Sequence, residues 1–175
     1  LRRLLAHHAK DVPMNLFTLS DMHYTQATNQ TTVDGVVRIN YKGLLATNPD
    51  QTIAHAKAAY FGAQTVFAIF DDTLKRIADY RFTSISPRKL ALTGYRNGQG
   101  AQVVALWFSD AAPVEAVAVT AVDITLPAGK FTEPVLVDVR TSTVYALPKS
   151  AWSQSAEGVT LRGVPVYDSP LLIAE

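Results

Sequence analysis

Residues 89–108 have the sequence KLALTGYRNGQGAQVVALWF, and this stretch decides the fold class. Two β-rich runs, 89–95 and 102–108, flank the polar segment RNGQG. An Asn-Gly pair favours the positive φ angles that a tight hairpin turn requires. The stretch therefore predicts two antiparallel strands joined by a turn at Asn97 and Gly98.

The β-rich pattern continues to the end of the chain. Further runs are separated by clusters of Gly, Pro, Ser and Thr, and they occupy residues 114–126, 134–139, 143–147, 159–161 and 164–173. No helix-length apolar period returns after Tyr80. Short strands without intervening helices are typical of a sandwich or a barrel. We predict an antiparallel β-sandwich over residues 84–175, large enough to fold around its own core.

The composition favours a compact fold, and the net charge does not indicate a charged partner. Of the 175 residues, 48% are hydrophobic and 18% are charged, which argues against disorder. The formal net charge is +1, so no overall field draws the protein to nucleic acid or to an anionic membrane. The absence of cysteine removes disulfides and thiolate chemistry but leaves the compartment open. We therefore predict no nucleic-acid or membrane partner, and the localisation is unknown.

The first 80 residues follow a different pattern. Residues 14–20 (MNLFTLS) form a short apolar run, which is typical of a strand buried on both faces in a parallel sheet. Residues 21–34 are polar and predict a long surface loop. Apolar residues spaced three and four apart predict an amphipathic helix over 52–70. The opening sequence LRRLL is typical of a helix without an N-cap, and we expect the natural chain to begin further upstream.

Several short segments resemble one enzyme family. The segments LFTLSDM at 16–22, GLL at 43–45 and AAYF at 58–61 resemble the last barrel strand, the following loop and the final helix of (β/α)8 glycoside hydrolases related to β-xylosidases and α-L-iduronidases. That helix opens with a Lys-Pro-Ala-Tyr-like motif, and KAAY at 57–60 lacks the Pro. Residues 134–145 and GVPVYDSP at 163–170 are similar to the small β-sandwich that follows such barrels.

The resemblance implies a mainly β chain made of two parts. A strand-loop-helix remnant of a (β/α)8 barrel (1–83) would precede an antiparallel β-sandwich accessory domain (84–175). In this family the acid/base and the nucleophile are glutamates at the ends of the fourth and seventh barrel strands, and both positions would precede Leu1. No residue here therefore inherits a catalytic role, and the piece is expected to be inactive alone. The sandwich would pack on the upstream barrel, and the parent enzyme would bind the carbohydrate substrate.

Four residues are candidates for contact with a sugar. Asp21, His23 and Tyr24 follow the predicted strand at its C-terminal end, the rim on which barrel enzymes build their active sites. Asp21 could accept hydrogen bonds from sugar hydroxyls, and Tyr24 could stack on a sugar ring. The alternative is that Asp21 caps the turn and Tyr24 packs under the loop. Trp152, in a polar connection, is the fourth candidate, and it could instead cover the sandwich core.

The remaining polar residues indicate no further chemistry. The spacing of His7, His8, His23 and His55 matches no compact metal motif. Ser20, Asp21 and His23 lie too close along one segment to form a nucleophilic triad. We predict no catalytic residue, no metal site and no cofactor. The alternatives to a hydrolase segment are a non-catalytic carbohydrate-binding sandwich and a structural domain whose apolar helix docks on another subunit.

Overall fold

The computed structural model describes residues 1–24, 32–33, 36–114 and 117–175, with the backbone alone for 32–33 and 36–38. The elements in chain order are α1 (Arg2–His8), β1 (Met22–Tyr24), β2 (Thr32–Val33), β3 (Val36–Asn40), β4 (Leu45–Thr47), β5 (Ile53–Ala56), α2 (Ala58–Ile69), β6 (Lys75–Arg76), β7 (Thr83–Ile85), β8 (Leu90–Arg96), β9 (Gln102–Phe108), β10 (Thr120–Leu126), β11 (Val135–Asp138), β12 (Thr143–Ala146), β13 (Trp152–Ser155), β14 (Gly158–Val166) and β15 (Leu171–Ala174). The chain is mainly β, as predicted.

Two antiparallel sheets face each other in the second half of the chain. A six-stranded sheet has the order β12-β11-β15-β9-β8-β6, and a four-stranded sheet has the order β13-β14-β10-β7. Leu106 and Phe108 of β9 are fully buried in one cluster with Ile124 of β10 and Leu161 of β14. Burial of apolar side chains between the sheets is the main term that stabilises this arrangement. The predicted antiparallel sandwich is confirmed.

Strand β9 is buried on both of its faces. Its residues 104, 106 and 108 point into the sandwich, whereas Val103, Ala105 and Trp107 point the opposite way. On that opposite side lie Leu5 of α1 and Val66 of α2, both buried. The helices therefore form a third layer over the six-stranded sheet. A strand covered on both faces needs apolar residues at every position, which explains the unbroken run VVALWF.

The hairpin at the centre of the six-stranded sheet is confirmed, but its turn differs in one detail. Strands β8 and β9 pair antiparallel from Leu90 opposite Phe108 to Arg96 opposite Gln102. The positive φ lies at Gly100, with a value of 96°, and not at the Asn97-Gly98 pair. Asn97 acts through its side chain, because its Oδ1 accepts hydrogen bonds from the amides of residues 99 and 101.

The later strands depart from their predicted bounds. The predicted run 114–126 is a strand only from Thr120, and residues 115–116 lie outside the described ones. The run 159–161 and the start of 164–173 form the single strand β14. Strand β13 follows a 3-10 turn at Lys149–Ala151 and pairs with β14, and the sequence pattern did not predict it. In 88–114 and 117–175 that turn is the single helical element.

Two predictions for the first half need correction in their extent, although the predicted helix is present. The predicted loop 21–34 contains β1 and β2, which flank β3 in a small sheet, while 25–31 and 34–35 lie outside the described residues. The predicted helix 52–70 begins only at Ala58, because Ile53–Ala56 forms β5 and pairs with β4. Cross-strand pairing outweighs the intrinsic helix preference of the alanines in this segment.

Residues 14–20 are extended but are not a strand buried on both faces. Phe17 is 66% exposed and Leu19 is 62% exposed. The segment has one neighbour among the described residues, since Ser20 forms a parallel bridge with Leu45. The prediction of a fully buried strand is therefore wrong for this chain.

The chain enters the sandwich before residue 84. Strand β6 pairs with β8 at the edge of the six-stranded sheet. Strand β7 pairs with β10 at the edge of the four-stranded sheet. The division of the chain at 83/84 stays a prediction.

Candidate functional site

The extended segment 14–20 delivers Asp21 into a tight backbone crossing. The Asp21 amide donates to the Leu45 carbonyl at 3.0 Å, and the Leu45 amide donates to the Leu19 carbonyl at 2.8 Å. Gly43 lies against this crossing, and a Cβ there would stand 2.2 Å from the Asp21 nitrogen. Only glycine therefore allows the two backbones to approach so closely.

The Asp21 carboxylate is buried and paired with a cation. Its side chain is 1% exposed, and its Oδ1 lies 2.5 Å from Lys57 Nζ. The same oxygen accepts a hydrogen bond from the Gly43 amide at 3.0 Å. Lys57 Nζ also donates to the Tyr41 carbonyl at 2.9 Å. Lys57 immediately precedes α2, so this pair ties the start of the helix to the end of the extended segment.

The environment keeps Asp21 ionised. Burial raises the pKa of its carboxyl, but the Lys57 hydrogen bond, the Gly43 amide and the Lys57 charge outweigh burial, and the pKa lies below its usual range. A carboxylate of this kind accepts hydrogen bonds well and donates a proton poorly. Its second oxygen, Oδ2, is buried without a hydrogen-bond partner among the described residues.

His23 and Tyr24 lie beside Asp21 on β1, and both are half-buried. His23 Nε2 is 2.6 Å from Thr47 Oγ1 of β4. The Tyr24 hydroxyl accepts a hydrogen bond from Asn40 Nδ2 at 3.1 Å. The structure thus brings three of the four candidate residues together. Contact between these residues and a sugar stays a prediction.

Trp152 lies apart from that group, in the four-stranded sheet. It is half-buried and packs against the sandwich core. Lys149 Nζ covers the ring at 4.8 Å from its centroid. The indole Nε1 is buried without a hydrogen-bond partner among the described residues. This packing corresponds to the alternative in which Trp152 covers the core.

Sequence reasoning did not select Lys57 or Thr47 for this group. The predicted helix began at residue 52, which placed Lys57 inside it and turned away from its buried face. The signal that could have found Lys57 is its place in KAAY, since it stands where the resembled motif has a lysine. Thr47 belongs to β4, which no sequence pattern indicated.

The described residues contain no group of three or more His, Cys, Asp or Glu side chains placed to hold a metal ion. In the same part of the chain, no helix has both the length and the apolar character needed to cross a membrane.

Comparison with known proteins gives similarity to solved structures alone. No protein-family model matches the chain, and no curated protein matches it. Among solved structures, the chain is similar to the catalytic domain of GH30 xylanase C from Talaromyces cellulolyticus, with a TM-score of 0.42 and 16% identity. The match covers 77% of this chain and 27% of that one. A likeness of this size assigns neither a family nor an activity.

Proposed function

We propose that this chain is the C-terminal segment of a glycoside hydrolase, in which a β-sandwich supports a (β/α)8 barrel whose catalytic glutamates lie upstream. The proposal starts from the resemblance of segments 16–22, 43–45 and 57–60 to the last strand, loop and helix of such barrels. In this role the sandwich performs no chemistry and holds the end of the barrel in place.

The observation that carries the proposal is the open edge of residues 14–20. This segment pairs in parallel with Leu44 and Leu45 on one side. Among the described residues, its amides donate no backbone hydrogen bond. Phe17 and Leu19 are largely exposed. An edge with free amides and an apolar face is suited to a further strand, and each strand of a closed barrel has two neighbours.

The packing of the helices supports the same role. Leu5 of α1, Val66 of α2 and Phe70, which follows α2, are buried against the outer face of the six-stranded sheet. Phe67 points away and is 57% exposed. The sandwich therefore fixes the helix that follows the extended segment, and the Asp21–Lys57 pair links that helix to the segment's end.

The site chemistry agrees with a positioning role for Asp21, whose side chain is 1% exposed. Retaining hydrolysis needs two carboxylates about 5 to 5.5 Å apart, one of which must donate a proton. Asp21 is held ionised by Lys57, and no catalytic role is proposed for it. Asp21, His23 and Tyr24 are proposed to shape the substrate-binding rim.

The alternative is a non-catalytic carbohydrate-binding or structural sandwich. A carbohydrate-binding sandwich would use Trp152 to stack on a sugar ring. The Trp152 ring, however, packs on the core beneath Lys149 and offers little free surface. Affinity electrophoresis of the 175-residue chain on a polysaccharide panel tests this alternative. Retardation that Trp152→Phe reduces would favour the binding module over the hydrolase segment.

The hydrolase proposal is tested by comparing two proteins on a panel of aryl glycosides and polysaccharides. One is the 175-residue chain, and the other is the longer natural protein that contains it together with the sequence before Leu1. We expect hydrolysis by the longer protein only. Hydrolysis by the 175-residue chain, or no hydrolysis of any substrate by the longer protein, would overturn the proposal. Within an active longer protein, an unchanged kcat/KM for Asp21→Ala would remove Asp21 from the binding rim.

A further inference from the structure

The turn between β8 and β9 contains the single Asn-Gly pair of the sequence, Asn97-Gly98. Asparagine is chemically labile when glycine follows it, because the main-chain nitrogen of the next residue can attack the side-chain amide and glycine has no Cβ to hinder that approach. Strands β8 and β9 lie in the interior of the six-stranded sheet. A covalent change at this turn would therefore act on two interior strands of the fold.

The two nitrogens that would react are not held by other residues. Gly98 is exposed, and its amide donates no hydrogen bond to the described residues. A Cβ at Gly98 would meet no atom within 4 Å, so the space around this residue is open. In the same part of the chain, the Asn97 Nδ2 group donates no hydrogen bond. Within the described residues, the attacking nitrogen and the leaving nitrogen are therefore both unrestrained.

The rest of Asn97 is held by four hydrogen bonds. Its Oδ1 accepts from the amides of Gln99 at 3.0 Å and Ala101 at 2.9 Å. Its carbonyl accepts from the Gly100 amide at 3.2 Å, and its own amide donates to the Ala101 carbonyl at 3.0 Å. Attack needs the side chain and the main chain of Asn97 to rotate until Cγ meets the Gly98 nitrogen, and these bonds oppose that rotation. The closed turn should therefore slow the reaction, and opening of the turn should release it.

We propose that Asn97-Gly98 is a site of spontaneous deamidation, and that the closed turn restrains the reaction, so that modification marks chains in which the hairpin of β8 and β9 has opened. The isoaspartate product then weakens that hairpin. Each opening exposes the pair to an irreversible step, whereas re-formation of the turn stops it. The site shares no residue with the Asp21 group, and the inference does not depend on the proposed hydrolase function.

The chemistry needs only these two residues and water. The Gly98 nitrogen forms a bond to Asn97 Cγ and gives up its proton, and the Cγ–Nδ2 bond breaks so that Nδ2 leaves as ammonia. The product is a five-membered cyclic imide. Water then cleaves the imide at one of its two carbonyls: cleavage at Cγ gives aspartate, and cleavage at the main-chain carbonyl gives isoaspartate. No atom is oxidised or reduced, and water is the single co-reactant.

The effect of the modification on the fold can be measured directly. In isoaspartate the main chain runs through Cβ and Cγ, so the turn gains one atom and Oδ1 becomes a main-chain carbonyl oxygen. The amides of Gln99 and Ala101 then lose their present acceptor, whereas aspartate keeps it. Chains with isoaspartate at position 97, separated by chromatography, should therefore have a lower Tm than Asn97→Asp. Equal Tm values would overturn the proposed weakening of the hairpin.

Two glycine variants separate the chemistry from the restraint. Gly98 has open space at its Cβ position and no positive φ, so Gly98→Ala should keep the fold. Its methyl group should slow deamidation about tenfold in guanidinium chloride, because it hinders the attacking nitrogen. Gly100 has a φ of 96°, which alanine adopts only with strain, so Gly100→Ala should loosen the turn. We expect Gly100→Ala to react faster than the wild type in buffer and at the wild-type rate in denaturant. A lowered Tm with an unchanged rate in buffer would overturn the restraint.

The main test uses the wild-type chain alone and so does not depend on the folding of a variant. Peptide-resolved mass spectrometry follows deamidation of the 175-residue chain at neutral pH, in buffer and in concentrated guanidinium chloride. The other four asparagines of the sequence, which precede larger residues, are internal controls. We expect Asn97 to react faster than each control in denaturant, and at least about tenfold more slowly in buffer, because the folded chain must first open. A rate in denaturant no faster than the controls would overturn the site, and equal rates in buffer and denaturant would overturn the restraint.

Discussion

Lys57 Nζ lies 2.5 Å from Asp21 Oδ1, across 36 residues of chain, and the Asp21 carboxylate is shielded from solvent. The pair joins the residue that follows the extended segment 14–20 to the residue before α2. Because Lys57 also donates to the Tyr41 carbonyl, a third segment, the turn before Gly43, is held by the same ammonium group. Removal of either partner leaves a buried polar group unpaired, which is costly.

Lys57→Met should lower the thermal stability of the chain by several degrees. The variant leaves the buried Asp21 carboxylate without its cation and the Tyr41 carbonyl without its donor. The matched control is Lys42→Met, because Lys42 is exposed and its side chain makes no hydrogen bond with the described residues. Differential scanning calorimetry provides the comparison. Equal Tm values for the two variants would show that the pair contributes no stability.

Asp21 should make stability depend on pH in the acid range. Its folded-state pKa lies below its usual value, since the contacts from Lys57 and Gly43 outweigh the effect of burial. Its contribution is therefore present above the unfolded pKa of about 3.9 and is lost as pH falls toward the folded pKa. The Tm difference between wild type and Asp21→Asn should shrink below about pH 4. A constant difference from pH 6 to pH 3 would contradict this linkage.

His8 should also make stability fall as pH decreases, but at a higher pH than Asp21 does. Its ring packs against Phe70 and Tyr95, with centroids 5.2 Å from each. Burial lowers the pKa of His8, and the nearby Asp11, which is paired with Arg76, offsets this only in part. Protonation therefore favours the unfolded chain, and stability falls as pH drops below the unfolded pKa of about 6.5.

The test compares the slope of Tm against pH in wild type and in His8→Leu between pH 7 and pH 5. The variant should show a shallower decline, because leucine fills the space between Phe70 and Tyr95 without a titrating group. Measurements at pH 8, where imidazole is neutral in both states, separate the packing effect from the charge effect. Parallel slopes below pH 7 would show that protonation of His8 does not cause the decline in Tm.

Leu5→Ala should destabilise the whole fold. Leu5 is fully buried in the cluster that joins α1, α2 and the six-stranded sheet, so the expected cost is about 2 to 5 kcal/mol. The control, Leu19→Ala, changes a leucine that is 62% exposed and should cost less than about 0.5 kcal/mol. Urea unfolding followed by circular dichroism should show a single transition in each protein. A separate early transition in Leu5→Ala would mean that the helices are not part of the sandwich's cooperative unit.

The second half of the fold could be predicted because its signals are local. Strands β8 and β9 are adjacent in sequence, so the apolar runs and the turn between them specify the pairing. The helix layer could not be predicted in this way. The run VVALWF shows that β9 is apolar at every position, but nothing within it identifies α1 and α2 as the elements that cover Trp107.

The first half was harder because distant pairing decides it. The segment Ile53–Ala56 continues the helical spacing in sequence, yet it pairs with β4, which has no alternating signal of its own. The candidate site also depends on contacts between residues that are distant in sequence. Asp21 was selected by its position after an apolar run, whereas its partner Lys57 depends on the crossing of two backbones at Gly43, and no local pattern encodes that crossing.

The central claim is that residues 14–20, which are extended and exposed in the 175-residue chain, become a strand between Leu44–Leu45 and the rest of a barrel in the longer protein. Amide hydrogen exchange of this segment tests the claim directly, in the 175-residue chain and in the longer natural protein that contains it. The amides of residues 15–20 donate no backbone hydrogen bond to the described residues, so they should exchange rapidly in the 175-residue chain. In the longer protein, pairing with a second strand should slow the alternate amides that face it more than about a hundredfold. Equally rapid exchange in both proteins would contradict the account.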